Sequence, residues 1–258
     1  MTDRTAVVTG AAQGVGEEVA NRLARDGMTR MLLIDRNAEP LERVAARLRT
    51  DGLTVETLVV DLAEIDAVIE LTREALQRLG NVDVLINTAG STARGGLADT
   101  DPARFDMLFA VNVRAPFFLM QLAAPHMRSG GLIVNITSML AYGGPPFLAT
   151  YAATKAALVT LTKNAANALK RDRIRVFGIN LGWTWSPGEH EVQTKVHGLP
   201  QDWRESVGAQ QPFGRLLMPE DPAALISFLA SPGAEMMTGA IIDLDQFVAG
   251  TVDDNPGA

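Results

Sequence analysis

Short apolar runs alternate with longer amphipathic stretches from one end of this 258-residue chain to the other. Several of the short runs are apolar at every position, as expected for strands that helices cover on both faces. In the longer stretches apolar residues recur every three or four positions, which is typical of helices. The predicted strands are residues 5–9, 31–34, 55–60, 82–86, 132–136, 175–179 and 240–244. The predicted helices are residues 14–26, 40–51, 64–79, 102–127, 150–171 and 221–230.

Strand–helix alternation along a whole chain predicts an α/β fold, here a doubly wound parallel sheet of about seven strands with helices on both faces. No low-complexity linker divides the chain, so residues 1–258 are predicted to form a single domain. The helices within residues 102–127 and 150–171 have apolar or small residues on nearly every side. Such helices are either deeply buried or packed against another subunit, which favours an oligomer over a monomer.

Composition and charge narrow the possible partners. The formal net charge of −7 argues against nucleic acid or an anionic membrane surface as the main partner. The chain has no cysteine, which excludes disulfides, thiolate catalysis and Cys-ligated metals. The first residues lack the pattern of a signal peptide, and the apolar stretch around residues 116–125 is too short to span a bilayer. The sequence therefore predicts a cytoplasmic protein without membrane contact.

A glycine-rich segment, Thr-Gly-Ala-Ala-Gln-Gly-Val-Gly at residues 9–16, joins the first predicted strand directly to the first helix. Gly10, Gly14 and Gly16 suit a tight turn in which the backbone approaches a pyrophosphate, and the helix N-terminus would attract that anion. The alternative is a glycine-rich turn without a ligand. Asp35, at the end of the second predicted strand, favours the dinucleotide, because an acid there accepts hydrogen bonds from the adenosine ribose.

The same region favours NAD over NADP. The Asp35 carboxylate would repel a 2′-phosphate, and the loop offers neutral Gln13 instead of a basic residue that could hold one. Arg36 points the other way, since a guanidinium can stack on adenine or reach a phosphate.

Tyr151 and Lys155 lie four positions apart in a predicted helix and therefore on one face of it. A free phenol has a pKa of about 10 and is a poor base at neutral pH. A fixed positive charge beside it favours the phenolate and lowers that pKa. The pair alone is a weak signal, because this spacing arises by chance on many helices, and the glycine loop strengthens it.

With these motifs the chain resembles the short-chain dehydrogenase/reductase family, in its single-domain branch with a Rossmann-type fold. Residues 9–16 match its Thr-Gly-x-x-x-Gly-x-Gly loop, residues 61–62 match its adenine-contacting pair, and residues 87–90 resemble Asn-Asn-Ala-Gly with threonine as the second residue. The resemblance implies cofactor contacts from Gly10, Gln13, Gly14, Val15, Gly16, Asp35, Arg36, Asp61, Leu62, Asn87, Ala89, Gly90, Tyr151, Lys155, Gly182, Thr184 and Ser186.

The resemblance also implies hydride transfer between a secondary alcohol and the nicotinamide, with four catalytic residues. Asn112 corresponds to an asparagine that kinks a helix and holds a water in a proton relay. Ser138 corresponds to the serine that orients the substrate oxygen. Tyr151 corresponds to the general acid/base, and Lys155 to its electrostatic partner and ribose ligand. Members of the family commonly form tetramers, so a homotetramer is expected.

One departure follows the sixth predicted strand, where the family usually has Pro-Gly and this chain has Leu181-Gly182. Proline stiffens such a turn, so its loss is expected to alter the seating of the nicotinamide. Ser186 takes the place of the threonine that meets the carboxamide, and a second Pro-Gly stands nearby at residues 187–188.

Residues 183–214 lie where the family places its substrate lid, and they hold all three tryptophans. Aromatic faces with polar edges suit a sugar, sugar acid or polyol, although the tryptophans could equally form the core of the loop. His190 and His197 have no third ligand at a usable spacing, so no metal site is predicted. The candidate substrate residues are Arg94, Ser138, Tyr151, Trp183, Trp185 and His190, with Glu189, Gln193 and Gln246 as further polar candidates.

Two other functions stay open. One is a carbonyl reductase for 3-oxoacyl thioesters, which the basic cluster at residues 170–175 favours and which the net charge and Asp35 disfavour. The other is a non-catalytic scaffold that senses a dinucleotide, against which the presence of all four catalytic residue types counts.

Overall fold

Seven parallel strands form one sheet in the computed structural model, which describes residues 4–251. The strands follow the order β3-β2-β1-β4-β5-β6-β7 across the sheet. The chain order reverses direction between β1 and β4, and ligands bind at the carboxyl ends of strands beside such a switch point. The predicted doubly wound sheet is therefore confirmed. The strands are β1 Thr5–Thr9, β2 Arg30–Asp35, β3 Thr54–Val59, β4 Val82–Asn87, β5 Met127–Ile136, β6 Arg175–Leu181 and β7 Ile241–Leu244.

Helices cover both faces of the sheet and enclose two separate apolar cores. One core contains side chains of the first, second and ninth helices, and the other contains side chains of the third, fifth and sixth. Within β1, Ala6 and Val8 face the first core and Val7 faces the second, which explains why the strand is apolar at every position. The helices are α1 Gly14–Arg25, α2 Ala38–Thr50, α3 Ile65–Leu79, α4 Pro102–Phe109, α5 Ala115–Ala123, α6 Ala149–Leu169, α7 Pro187–Glu191, α8 Trp203–Gly208 and α9 Glu220–Leu229.

The predicted single helix over residues 102–127 is wrong in detail. A π-helical segment, Ala110–Arg114, separates α4 from α5, and the N–H of Ala115 donates to the carbonyl of Ala110, five residues earlier. Pro116 has no N–H to donate to the carbonyl of Asn112, so the α-helical hydrogen-bond pattern cannot continue there. The chain then passes into β5 at Met127, five residues before the predicted strand.

The helical run Pro102–His126 is long and apolar enough to cross a membrane by length and composition alone. Core helices of soluble proteins meet the same criterion, and here Leu108, Asn112 and Leu119 of this run are buried within the fold.

Helices α7 and α8, with a π-helical segment Val192–Val196 between them, lie within residues 183–214, where the sequence periodicity predicts none. This part of the chain stands at the carboxyl end of β6, on the same edge of the sheet as the glycine loop. The predicted single domain includes residues 1–3 and 252–258, which lie outside the described residues.

Candidate active site

The glycine loop between β1 and α1 packs against the end of β4. Gly10 and Gly14 have φ angles of 66° and 59°, in the left-handed region that favours glycine. A Cβ on Gly16 would lie 2.2 Å from the carbonyl oxygen of Gly10, and one on Gly10 would lie 2.9 Å from the backbone of Ala89. The loop is therefore as compact as the sequence predicts for close approach to a phosphate.

A cleft of about 830 Å³ opens beside this loop, at the carboxyl ends of the strands. This volume lies within the ordinary range for small-molecule sites, roughly 300–1,000 Å³. The cleft brings together twelve of the predicted cofactor residues: Gly10, Gln13, Gly14, Val15, Gly16, Asp35, Arg36, Asp61, Leu62, Ala89, Gly90 and Ser186.

Two carboxylates are fixed at the end of the cleft that β2 and β3 form. Asp35 accepts hydrogen bonds from the N–H groups of Ala12 at 3.2 Å and Asn37 at 2.9 Å. Asp61 accepts one from Ala63 at 2.9 Å. The guanidinium of Arg36 lies 4.0 Å from the Asp61 carboxylate, so the one basic candidate at this end already has an acidic neighbour. The carboxylate oxygens at this end of the cleft can accept hydrogen bonds from a ligand.

Polar groups at the end of β4 have unused hydrogen-bonding capacity. The Asn87 amide donates to Asn135 Oδ1 at 2.8 Å, while its own Oδ1 and the hydroxyl of Thr88 are enclosed without a partner among the described residues. Leaving such groups unpaired costs about 1–3 kcal/mol each. Thr88 lines the cleft, so a ligand with hydrogen-bonding groups fits this position.

Helix α6 places Tyr151 and Lys155 beside the same loop. Lys155 Nζ is buried, donates to the carbonyl oxygen of Ile136 at 2.8 Å and lies 5.6 Å from the centre of the Tyr151 ring. A Cβ on Gly90 would lie 3.5 Å from Lys155 Nζ and 3.4 Å from Asn112 Oδ1. Gly90, which lines the cleft, thus lies next to two of the four predicted catalytic side chains, those of Lys155 and Asn112.

Asn112, in the π-helical segment, uses its whole side chain to hold neighbouring elements. Its Oδ1 accepts from the N–H of Ser91 at 2.8 Å, and its Nδ2 donates to the Ser91 carbonyl at 2.9 Å and to Thr154 Oγ1 at 3.0 Å. Thr154 in turn donates to the Tyr151 carbonyl at 2.6 Å. Thr154 was not predicted from the sequence, although its position three residues after Tyr151 was the available signal.

The protonation of Tyr151 and Lys155 differs from the sequence-based expectation. The pKa of Tyr151 is raised to about 12, chiefly by burial, while the Ser138 hydroxyl lowers it and the Glu189 carboxylate raises it. Burial also lowers the pKa of Lys155 to about 8. In the protein alone burial sets the direction of the Tyr151 pKa, and the expected lowering by Lys155 stays a prediction for the liganded site.

Ser138 follows β5, where it caps a 3₁₀ turn, Met139–Tyr142. Its hydroxyl accepts from the N–H of Leu140 at 3.2 Å, which fixes the oxygen near the Tyr151 phenol while leaving its own proton free to donate.

Three contacts take the place of the missing proline after β6. A Cβ on Gly182 would lie 2.2 Å from the Asp245 carboxylate, so only glycine fits there. Thr184 Oγ1 donates to the Gly182 carbonyl at 3.0 Å, and the N–H of Trp185 donates to the carbonyl of Leu217 at 2.8 Å. The turn is held from both sides without proline.

Ser186 is the N-cap residue of helix α7 and lies against the glycine loop. The Ser186 hydroxyl accepts from the N–H of Glu189 at 3.1 Å, which caps the helix. A Cβ on Gly14 would lie 3.1 Å from the Ser186 Cβ, so α7 directly covers the cofactor end of the cleft.

Three aromatic rings form a small core inside the predicted lid. Trp203 is completely buried and stacks on Trp183 at 5.7 Å and on His190 at 6.5 Å between ring centres. The Trp203 indole donates to His190 Nδ1 at 3.1 Å, and His190 Nε2 lies 3.0 Å from Gln201 Oε1. An indole can only donate, so the His190 proton is on Nε2 and both nitrogens are engaged. His190 therefore supports the lid and is not available to a substrate.

Gln246, another polar candidate, also has a structural role. Its Oε1 accepts from the N–H of Phe213 at 2.7 Å, and its Nε2 donates to the carbonyl of Arg215 at 2.7 Å. Both ends of the side-chain amide fasten the end of the lid to the segment after β7. Gln246 therefore does not support the prediction of a sugar substrate.

The remaining substrate candidates have different surroundings. The Trp185 ring lies under the Arg204 guanidinium at 5.5 Å. Arg94 lines the cleft, its guanidinium lies 4.8 Å from the centre of the Phe147 ring, and its Nε is enclosed without an acceptor among the described residues.

The basic cluster at residues 170–175 lies at the other edge of the sheet. Arg175 begins β6, whereas the cofactor cleft is at the carboxyl ends of the strands. Lys170, Arg173 and Arg175 line a separate cleft of about 1000 Å³ there. These charges do not surround the entrance to the candidate active site.

Comparison with known proteins gives a consistent result. A family model described as short chain dehydrogenase matches residues 4–197. The chain is 34% identical to a cis-4-hydroxycyclohexanecarboxylate dehydrogenase from Sinomonas cyclohexanicum, over 94% of this chain and 95% of the relative. It is 33% identical to a sorbitol dehydrogenase from Cereibacter sphaeroides, over 94% and 96%. A short-chain dehydrogenase/reductase structure from Serratia marcescens superposes with a TM-score of 0.84 at 31% identity, covering 94% of this chain and 96% of the other.

Proposed function

Because the chain belongs to the short-chain dehydrogenase family, we propose that it is an NAD-dependent oxidoreductase that converts a secondary alcohol to a ketone or the reverse. The observation that carries this proposal is the meeting at Gly90 of the dinucleotide-type cleft with Lys155 and Asn112, beside Tyr151. The proposed substrate class is a sugar, sugar acid or polyol. Both curated relatives have names of dehydrogenases for hydroxylated substrates, which supports a secondary alcohol.

The residues of the cleft fit a nicotinamide dinucleotide. The glycine loop has no room for side chains where a pyrophosphate would lie, and Asp35 is already oriented by two backbone N–H groups. The unpaired hydroxyl of Thr88, which lines the cleft, provides a polar partner, and the unpaired Asn87 Oδ1 lies one residue before it. When bound, the dinucleotide supplies the acceptor or donor of hydride.

The chain itself supplies the proton chemistry. In the direction of alcohol oxidation, Ser138 hydrogen-bonds the reacting oxygen and the Tyr151 phenolate takes the hydroxyl proton. Lowering the pKa of Tyr151 from about 12 to about 8 requires roughly 5 kcal/mol of differential stabilisation. Lys155 is already part of the enclosed site for which that value holds. A further unit charge bound a few ångströms away in partly dry surroundings would contribute about 4 kcal/mol, which is most of the requirement.

The 3-oxoacyl thioester reductase is the weaker candidate. Its support in the sequence is the basic cluster, which lies at the edge of the sheet opposite the cleft. Docking of an acidic carrier there would leave its thioester on the wrong side of the sheet. Asp35 also disfavours the 2′-phosphate of NADPH.

We also propose that the protein is a cytoplasmic homotetramer. Phe105 on α4 and Phe117 on α5 are 45% and 41% exposed, and such rings on adjacent helices are typical of subunit contacts. Light scattering coupled to size-exclusion chromatography tests this: a tetramer mass supports the proposal and a monomer contradicts it.

A panel of sugars, sugar acids and polyols with NAD and NADP, followed by the absorbance of the reduced nucleotide, tests the catalytic proposal. We expect turnover with NAD and little with NADP. Activity only with NADPH and a 3-oxoacyl thioester would support the reductase. Tight binding of NADH without turnover of any alcohol or ketone would support the dinucleotide-sensing scaffold.

A further inference from the structure

The lid holds one carboxylate in a fixed position next to the candidate active site. Glu189 Oε1 accepts a hydrogen bond from the Trp183 indole at 2.8 Å and a second from the Gln193 amide at 2.7 Å. Trp183 is itself held by stacking on the buried Trp203 ring, and Gln193 is buried. These two donors orient the carboxylate from one side, although Trp183 itself is 40% exposed.

The second oxygen of this carboxylate is unused. Among the described residues, the hydrogen bonds of Glu189 all involve Oε1 or the backbone, so Oε2 has no protein donor. Lys195, the cation of this segment, pairs with Glu191 instead. An ionised carboxylate can accept about four hydrogen bonds, so capacity remains for a ligand.

Glu189 lies next to residues that line the cofactor cleft. Gly188 and Val192, one residue before Glu189 and three after it, both line the cofactor cleft. Glu189 itself does not line the cleft, and these neighbours in the chain place it at the edge of the cleft. The charge of Glu189 also acts on the Tyr151 phenol, whose pKa it raises.

The chemistry of Glu189 selects for a hydrogen-bond donor. A carboxylate repels the anionic group of a substrate and gains nothing from an ether or ester oxygen, whereas a hydroxyl donates to it in a charge-assisted bond. The reacting hydroxyl is already assigned to Ser138 and Tyr151 under the proposed function. A donor that reaches Glu189 must therefore be a second hydroxyl on a carbon near the reacting one.

We propose that Glu189 is a specificity-determining residue, whose Oε2 binds a second hydroxyl of the substrate beside the reacting carbon, so that the enzyme selects diols within the sugar and polyol class. This inference rests on the proposed function, because it names the substrate group that the same site recognises. It assigns to the lid a direct contact with substrate, in addition to covering the cleft.

Three alcohols test the inference with the intact enzyme and NAD: cyclohexanol, cis-1,2-cyclohexanediol and cis-2-methoxycyclohexanol. The methyl ether keeps the oxygen of the second group but removes its proton. We expect kcat/KM for the diol to exceed that for the ether and for cyclohexanol by about tenfold or more, the usual effect of one hydrogen bond to a charged group.

The variant Glu189→Gln sharpens the test. Trp183 and Gln193 are both donors, so the oxygen of the introduced amide must take the place of Oε1, and its NH₂ group then replaces Oε2. A donor now faces the substrate, and the diol-to-ether ratio of kcat/KM should fall to about one or below. Glu191→Gln is the matched control, because Glu191 lies on the same helix and pairs with Lys195. That variant should keep the wild-type ratio.

Equal kcat/KM for the diol and the ether in the wild type would overturn the inference, and so would an unchanged ratio in Glu189→Gln. Failure to oxidise the diol while a panel alcohol is oxidised would also overturn it and leave the proposed function standing. No turnover of any alcohol with either nucleotide would defeat the proposed function itself.

Discussion

Lys155 Nζ donates a hydrogen bond to the carbonyl oxygen of Ile136 at 2.8 Å, which ties α6 to the carboxyl end of β5. The bond holds the ammonium in place before any ligand binds, at the point where Gly90 also approaches it. The cost is desolvation, which lowers the pKa of Lys155 to about 8. The site is thus pre-organised at some expense of stability, which can be measured.

We expect Tyr151→Phe to bind NADH as the wild type does and to lose turnover by at least about 10²- to 10⁴-fold, the usual contribution of a general acid or base. Tyr142→Phe is the matched control, since Tyr142 is the other tyrosine and its hydroxyl donates to Asp243. Steady-state kinetics and NADH fluorescence measure the two properties separately. Comparable turnover in Tyr151→Phe and Tyr142→Phe would remove the catalytic assignment.

The buried charge of Lys155 predicts a pH-dependent difference in stability. The pKa of Lys155 is about 8 in the folded protein against an ordinary value of 10.5, so the folded state binds the proton less tightly. As the pH falls from 9.5 to 7, the wild type should lose about 2 kcal/mol of unfolding free energy relative to Lys155→Met. Urea unfolding of both proteins at the two pH values measures this. The loss of the bond to Ile136 affects both pH values equally, so a pH-independent difference would show that Lys155 is not desolvated.

Asp35→Ala should lower kcat/KM with NAD by about 10- to 100-fold, because a hydrogen-bonded carboxylate is lost, and should lower it less with NADP. The ratio of kcat/KM with NAD to kcat/KM with NADP should therefore decrease. Asp35→Asn keeps an oxygen acceptor for only one of the two N–H groups of Ala12 and Asn37, so it should give an intermediate ratio. An unchanged ratio in both variants would show that Asp35 does not meet the ribose.

The Glu189 charge predicts a shift in the pH profile. This carboxylate raises the pKa of Tyr151, so Glu189→Gln should lower that pKa and move the rise of kcat/KM for alcohol oxidation to lower pH. The rise of kcat/KM should occur at the lowest pH in Glu189→Gln and at the same, higher pH in the wild type and Glu191→Gln. A profile that stays in place in Glu189→Gln would mean that the carboxylate is too well screened to act on the phenol.

Gly182→Ala should destabilise the protein by about 1–3 kcal/mol, because the new Cβ would lie 2.2 Å from the Asp245 carboxylate. The double variant Gly182→Ala/Asp245→Ala removes the obstacle and should recover part of the loss. A double-mutant cycle from thermal or urea unfolding gives this coupling directly. Additive effects of the two substitutions would argue that they do not meet.

Local rules account for what the sequence predicts correctly. The glycine loop, Asp35 and the Tyr151–Lys155 spacing depend on a few adjacent residues, and each lies where the strand–helix pattern places it. Contacts between distant segments account for the failures. Gln246 looks like a ligand for hydroxyls until its partners, 31 and 33 positions away, are known.

Environment explains the other differences. The π-helical segment arises because Pro116 withholds one N–H, and the long apolar pattern around it still reads as a continuous helix. The raised pKa of Tyr151 depends on how completely the fold encloses the ring, which no spacing of charges reveals. His190 is similar, since its two nitrogens are engaged by Trp203 and Gln201 from within the lid.

The lid is attached at both of its ends. A parallel β-bridge between Thr184 and Leu217 holds the first end of the lid. At the other end, Gln246 hydrogen-bonds the backbone of Phe213 and Arg215. The lid also has its own aromatic core, in which Trp203 stacks with Trp183 and His190. It is therefore a structural unit whose two ends are fixed to the rest of the fold. Exchange of residues 183–212, which keeps Trp183 with the Trp203 ring on which it stacks, for the corresponding stretch of a relative should therefore transfer substrate preference. The nucleotide preference that we expect Asp35 to set should stay unchanged.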